Sequence, residues 1–228
     1  MALSNCIILF VKYPEKGKVK TRLSAELGAE TTRNLYECFV SDLIGILEKK
    51  RYTFKIAFYP PGSGKKIIPW LGQEHSYITQ KGKDLGERME NAFKEVFLQG
   101  FNEVLVIGTD IPDLTPSLID KALKALKRSD AVIGPCYDGG YYLIGFKKKT
   151  FLSDTFKGIQ WSTERVFKDT MVVFTKKGYK VHVLPKLRDV DRIEDLRDFY
   201  KRSKKPGCNY SKTLFYLSSI ENMLGYED

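Results

Sequence analysis

At 228 residues, 43% of them apolar, the chain is long enough for one domain with a real core and too apolar for global disorder. Its longest apolar runs, such as 6–11 and 104–107, are far too short to span a bilayer. The formal charge of +10 leaves two readings open, an anionic small substrate or nucleic acid.

The opening "MALSNCIILFVKYPEKG" has no basic stretch before its apolar run and no small-residue cleavage site after it. It reads as a first strand over Asn5 to Val11 rather than a signal peptide. A basic loop follows from Lys12 to Leu23. Leu35, Phe39, Leu43 and Ile46-Leu47 then recur at helical spacing and predict an amphipathic helix ending near Lys50. Thr53 to Tyr59 is a second strand, "PPGSGKK" a loop, and Ser76 to Thr79 a short third strand. Asp84 with Glu87 marks a helix start, with Met89, Phe93, Val96 and Phe97 on the buried face. Glu103 to Gly108 is a continuous apolar strand, hence central. Thr115-Pro116 opens a helix to about Lys127. Strands at 131–134 and 141–146, a helix at 163–177, a strand at 180–184 and a helix after Asp191 complete the run. "SKTLFYLSSIENML" looks like a terminal docking helix beyond a linker-like stretch, Lys201 to Pro206. The alternation predicts an α/β fold with a mostly parallel sheet covered on both faces.

In such sheets ligands sit outside the carboxyl ends of the strands, so the loops there carry the chemistry. The first, "KYPEKGKVKTRL", gathers Lys12, Lys16, Lys18, Lys20 and Arg22 around Gly17, a pattern suited to phosphate oxygens and close backbone approach. "PGSGKK" is not a P-loop, because the Walker pattern needs a glycine at Tyr59 and a hydroxyl at Lys66. Asp110 ends the most buried strand, where an acid can ligate a divalent metal; Asp113 suits helix-start electrostatics equally well. In "RDVDRIEDL", Asp189 and Asp191 flank Val190 and would share one face of an extended chain, although Asp191 with Glu194 also reads as a capping box. In "GPCYDGGYYLIGF", Asp138-Gly139-Gly140 is a hairpin turn that also brings an acid and two bare residues to the edge that carries Asp110.

Two histidines (His75, His182) and four scattered cysteines without a C-x-x-C pair argue against a His-rich metal centre and a zinc knuckle. A metal would be held by oxygen, which points to Mg²⁺ or Mn²⁺. Unpaired thiols fit a cytoplasmic protein. Most of the excess cations fall at predicted helix ends and loops, where they offset helix dipoles, and no nucleic-acid signature accompanies them.

"FVKYPEKGKVKTRL", "GKDLGERMENAF", "GTDIPDLT", "GPCYDGGYYLIGF", "FKGIQWSTERVF" and "LRDVDRIEDL", in that order, resemble a family of GT-A-like, glycosyltransferase-like proteins long labelled a domain of unknown function and associated with radical-SAM and selenium-domain proteins. The family is similar to 2-phospholactate guanylyltransferase and belongs with the nucleotide-diphospho-sugar transferases. The family's Thr-Pro is replaced here by Arg192-Ile193. The resemblance implies a three-layer α/β/α, Rossmann-like GT-A domain over 1–200, with 201–228 as linker and docking helix. It implies that Lys20 and Arg22 contact nucleotide phosphates, that Asp110 holds a divalent cation, and that the Asp138 turn faces the second substrate. Together these readings make Asp110, Asp138 and Lys20 the candidate catalytic residues. Lys12, Gly17, Lys20, Arg22, Gly139 and Gly140 form the candidate phosphate cradle, and Asp110, Asp191 and Asp189 the metal set. The leading expectation is a metal-dependent transferase taking a nucleotide-diphospho-sugar and a small-molecule acceptor. The alternatives are a nucleotidyltransferase joining an NTP to a phosphorylated acceptor, and a non-catalytic nucleotide- or nucleic-acid-binding protein. A homodimer is left open.

Overall fold

The computed structural model describes residues 3–204 and 211–225. Seven strands form one sheet: β1 (Leu3–Lys12), β2 (Phe54–Tyr59), β3 (Tyr77–Thr79), β4 (Phe101–Ile107), β5 (Ala131–Pro135), β6 (Tyr141–Lys147) and β7 (Val181–Val183). Their order is β3-β2-β1-β4-β6-β5-β7. Only β6 runs against its neighbours, β4 and β5; all other pairs are parallel. The carboxyl ends of the six parallel strands therefore open on one edge, and β6 begins there. Because β6 is antiparallel to both, β4 and β5 run in the same direction on either side of it.

The helices are α1 (Thr21–Leu27), α2 (Ala29–Lys49), α3 (Gly64–Leu71), α4 (Leu85–Leu98), α5 (Pro116–Leu126), α6 (Val166–Lys176), α7 (Ile193–Ser203) and α8 (Lys212–Ser219). Both faces of the sheet are covered, which is why the central strands read as unbroken apolar runs. On one face Ile7, Leu9, Ile56, Leu105 and Val132 pack with Val40 and Leu43 of α2 and Ile119 and Ala122 of α5. On the other, Cys6, Ile8, Val104, Ile133 and Phe146 meet Phe93 and Val96 of α4 and Phe174 of α6. The strands alternate sides residue by residue, as the pleat requires.

The helix starts follow their signals. Asp84 accepts the Glu87 amide at 2.8 Å, and Thr115 accepts that of Leu118 at 3.4 Å with Pro116 at the first helical position. Two segments differ from the sequence reading. "PPGSGKK" is a 3₁₀ turn (Pro61–Ser63) leading into α3, because Ile67 buries completely and Trp70 and Leu71 pack on the same core. Gly64 and Pro69 disguise that helix, both being poor formers. The basic loop also ends earlier than expected, at Lys20, where α1 begins.

A third cluster joins four helices. Leu23 and Leu27 of α1, Val190, Leu196 and Phe199 around α7, and Leu217 of α8 bury together against Leu35 and Phe39 of α2. The docking helix is held there by Asp42, which accepts the Lys212 and Thr213 amides at 2.8 and 3.0 Å. α7 runs through Ser203, so the start of the linker-like stretch is helical, while 205–210 and Cys208 lie outside the described residues. The other three cysteines are free thiols. No helix among the described residues is long and apolar enough to cross a membrane.

Candidate active site

A cavity of about 740 Å³ opens at the carboxyl edge, within the usual range for ligand sites. Its floor is tied by polar groups at the strand ends. Buried Gln80 donates to the carbonyls of Ala57 (2.7 Å) and Val11 (3.4 Å). The Lys12 amide donates to the Tyr36 hydroxyl at 3.0 Å, and that hydroxyl pairs with Thr109 Oγ1 at 3.2 Å. Burial, then the nearby Asp110 charge, pushes the Tyr36 phenol up to about 12, so it stays a neutral strut between β1 and β4.

The charges divide along the strand order. Lys12 ends β1, Lys18 lies in the loop after it and Arg22 in the first turn of α1, and Arg88 of α4 stacks over the Tyr59 ring at the end of β2, 4.4 Å from its centroid. Asp110, Asp138, Asp189 and Asp191 follow β4, β5 and β7. Lys20 stands between the halves. Its side chain is 4% exposed, and Nζ lies 2.7 Å from Asp110 Oδ1 and 2.9 Å from Asp191 Oδ1. Burial pulls this ammonium down, but the two carboxylates outweigh it and hold the group above the ordinary lysine range. Burial likewise pushes Asp191 up, yet Lys20 and Arg22 bring it below the usual carboxylate range.

Asp189 and Asp191 do share a face. Val190 between them is buried, its amide donates to the Asp110 carbonyl at 3.0 Å, and both acids line the cavity. The box expected of Asp191 and Glu194 is shifted by one residue: Arg192 is the N-cap, and Asp195 takes the part expected of Glu194, its Oδ2 accepting the Arg192 and Asp191 amides at 2.9 and 3.2 Å. The Asp191 side chain is thereby left for Lys20. Asp113 lies elsewhere, paired with Arg202 at 2.7 Å.

The acids form two groups rather than the single set expected. Asp110 and Asp191 converge on Lys20, whereas Asp189 sits with Asp138 and Cys136, their ligand atoms within 4.8 Å of one another. Burial, then the Asp138 charge, pushes the Asp189 carboxyl up to about 6. Burial and the same two acids hold the Cys136 thiol protonated. A protonated thiol is a poor donor for a hard cation. The Asp110–Asp191 pair fits Mg²⁺ or Mn²⁺ better: two carboxylate oxygens already converge on one cationic atom, the Lys20 ammonium standing in for the ion.

The Asp138 stretch is both turn and site. The Cys136 amide donates to the Gly140 carbonyl at 2.9 Å, closing the hairpin, and Asp138 Oδ1 accepts the Gly140 amide at 2.8 Å. Asp138 and Gly140 line the cavity. Gly17 does not, and Gly139 lines a smaller adjoining pocket with Asp138 and Glu164. Gly17 has a φ of 74° in an exposed turn where a Cβ would meet nothing within 4 Å. Gly139, at φ 92°, presses on the backbone of Glu164, whose carbonyl oxygen would lie 2.0 Å from a Cβ there. Gly86 receives the same segment: a Cβ would fall 2.5 Å from the Trp161 ring. Residues 161–164 thus form a cavity wall seated on two glycines from distant parts of the chain. Trp161, Arg88 and Gln80 were missed as site residues. Only the motifs "GKDLGERMENAF" and "QWSTERVF" hinted at two of them.

Fold and cavity define an α/β protein with a GT-A-like, nucleotidyltransferase-type sheet and a ligand cavity at its carboxyl edge. The chain belongs to the family described as "Uncharacterized protein conserved in bacteria (DUF2064)", whose model matches residues 44–163. It is similar to a crystal structure described as a candidate nucleotide-diphospho-sugar transferase from Desulfovibrio desulfuricans G20, with 39% identity, 96% of each chain covered and a TM-score of 0.93. It is 25% identical over 206 residues, 89% of this chain and 84% of the other, to 2-phospho-L-lactate guanylyltransferase of Methanocaldococcus jannaschii. Rv0371c of Mycobacterium tuberculosis H37Rv, solved in complex with manganese, shares the fold at 11% identity, with a TM-score of 0.53 over 87% of this chain and 98% of that one. With transferases as relatives over nearly its whole length, the chain is a transferase enzyme.

Proposed function

We propose that this protein moves a glycosyl group from a nucleotide-diphospho-sugar to a small acceptor carrying a hydroxyl group, with a divalent cation bound at Asp110 and Asp191. The observation that carries this reading is the division of the cavity: cations over β1 and β2, carboxylates over β4, β5 and β7. A diphosphate suits the first half, where Lys12, Lys18, Arg22 and Arg88 would neutralise its oxygens. The second half, with Asp138, Asp189 and Glu164, repels a phosphorylated acceptor and suits an uncharged one.

When bound, the metal supplies charge neutralisation on the departing diphosphate. The residues do the remainder. Asp138 takes the proton of the acceptor hydroxyl as its oxygen bonds to the anomeric carbon. The bond from that carbon to the phosphate oxygen breaks, and its electron pair leaves with the nucleoside diphosphate. Lys20 and Arg22 stabilise the charge that accumulates there. Asp189 flanks Asp138, and the Trp161 wall shields the reacting atoms from water.

A second reading, transfer of a nucleotidyl group from an NTP, draws on the full-length guanylyltransferase relatives. Incubation with NDP-sugars and NTPs, with separate assays for nucleoside diphosphate and pyrophosphate, distinguishes the two. Metal-dependent release of nucleoside diphosphate, lost in Asp110→Asn, is the expected result. Pyrophosphate release from NTPs, with NDP-sugars untouched, would replace the first reading by the second.

A further inference from the structure

Lys20 combines three features. Its side chain is almost wholly buried, it bridges two carboxylates, and its backbone sits in the left-handed region (φ 46°, ψ 51°) that non-glycine residues avoid. It precedes the first residue of α1, yet no side-chain hydrogen bond caps that helix. The strained conformation is thus found at the residue whose ammonium closes the Asp110–Asp191 pair. Arg22 reaches the same pair only at 3.7 Å from Asp191 Oδ2, and its side chain is 62% exposed.

Two cations cannot share the point on which those carboxylates converge. A metal ion there would sit about 2.0–2.2 Å from its oxygens and would repel an ammonium left alongside. An ammonium displaced from the two carboxylates loses both counter-charges, and a nearby anion offsets that loss better than water does. The donor's phosphates, in the basic half beside it, are that anion.

We infer that Lys20 is an exchangeable counter-ion: without ligand its ammonium holds the place between Asp110 and Asp191 that the divalent cation takes, and it moves to the donor phosphates when the cation enters. The inference rests on the metal assignment made above, not on which group is transferred. It makes metal and nucleotide binding mutually reinforcing, because each relieves the cost of displacing or accommodating Lys20. Bare metal binds weakly, and the carboxylates stay ordered and neutralised until a donor arrives.

The test is Mn²⁺ binding to the nucleotide-free protein, followed by loss of the free-ion electron paramagnetic resonance signal. Lys20→Gln removes the competing charge and is expected to bind Mn²⁺ roughly tenfold more tightly than wild type, within the usual span of coupling between sites. Lys20→Arg keeps the charge and should show no such gain. Adding Asp110→Asn to Lys20→Gln should abolish it. A Lys20→Gln variant that binds Mn²⁺ no more tightly than wild type would overturn the inference. So would a gain that survives Asp110→Asn, since the ion would then sit at Asp138 and Asp189. Should Lys20→Gln fail to fold, the wild type answers the same question. Mg²⁺ titration followed by ¹³C NMR should move the Lys20 ε-carbon together with the Asp110 carboxyl. A stationary ε-carbon while that carboxyl shifts refutes the exchange. No arm uses a nucleotide, so failure of the glycosyl reading leaves the result interpretable.

Discussion

Asp189 and Asp191 are two residues apart on one face, yet their carboxyls are displaced in opposite directions. Asp191 is held below the usual range by Lys20 and Arg22 against its own burial, while burial and Asp138 push Asp189 up to about 6. The difference has a consequence for stability in metal-free buffer. The folded protein holds the Asp189 proton to higher pH than the unfolded chain, whose carboxyl titrates near 3.8. Stability from this group is therefore present below that value and lost as pH rises through about 6. Asp189→Asn should melt above wild type at pH 7–8 in EDTA and level with it near pH 4. A melting difference independent of pH would show that Asp189 does not carry the shift. Asp138→Asn belongs beside it: the amide oxygen can still accept the Gly140 amide, so the turn and melting temperature should persist while transfer activity is lost. Unfolding of that variant would make the stretch merely structural. Asp110, Asp189 and Asp191 were legible as cavity acids from their places after strands. Their sorting into two groups was not, because it depends on which of them Lys20 reaches.

The wall at 161–164 is a problem of elements meeting. Its seat is made by Gly86 on α4 and Gly139 in the β5–β6 turn, where side chains would overlap Trp161 and the Glu164 backbone. Gly86→Ala and Gly139→Ala should each cost about 1–3 kcal/mol by overpacking and shift Trp161 emission, with donor affinity falling in parallel. Gly17→Ala is the contrast: the space around it is open, so it should lose some stability to backbone strain and keep donor affinity. Fluorescence titration with a nucleoside diphosphate reads all three. In the sequence Gly17 and Gly139 invited the same reading, close approach to a ligand, and Gly86 read only as part of a helix start. What each one meets is decided by contacts from remote segments, and only Gly140 of the predicted cradle glycines lines the cavity. α3 was hidden for a related reason, since tertiary burial of Ile67 overrides the poor local propensity of Gly64 and Pro69.

At the scale of the molecule, α8 is part of the body that carries the site. Fully buried Leu217 lies in one cluster with Leu23 and Leu27, just beyond Lys20 and Arg22, and with Val190 and Ile193, which flank Asp191. Leu217→Ala should cost about 2–5 kcal/mol and lower a single cooperative melting transition followed by circular dichroism. A separate early transition for α8, with the rest unchanged, would make it an appendage. Alternating apolar runs and helix-period patterns sufficed for the α/β class, for most strands and for the two capped helices, because these obey local periodicity and local hydrogen bonding. The same patterns placed Asp110, Asp138, Asp189 and Asp191 on one edge, since parallel strands must end together. The hairpin turn already implied that β6 runs against β5, but the sequence could not say that β6 would insert between β5 and β4, or that Lys20 would lie buried between two acids distant in the chain. Those outcomes depend on which surfaces the layers bring into contact, and pairing energies between remote segments leave no periodic trace in the chain.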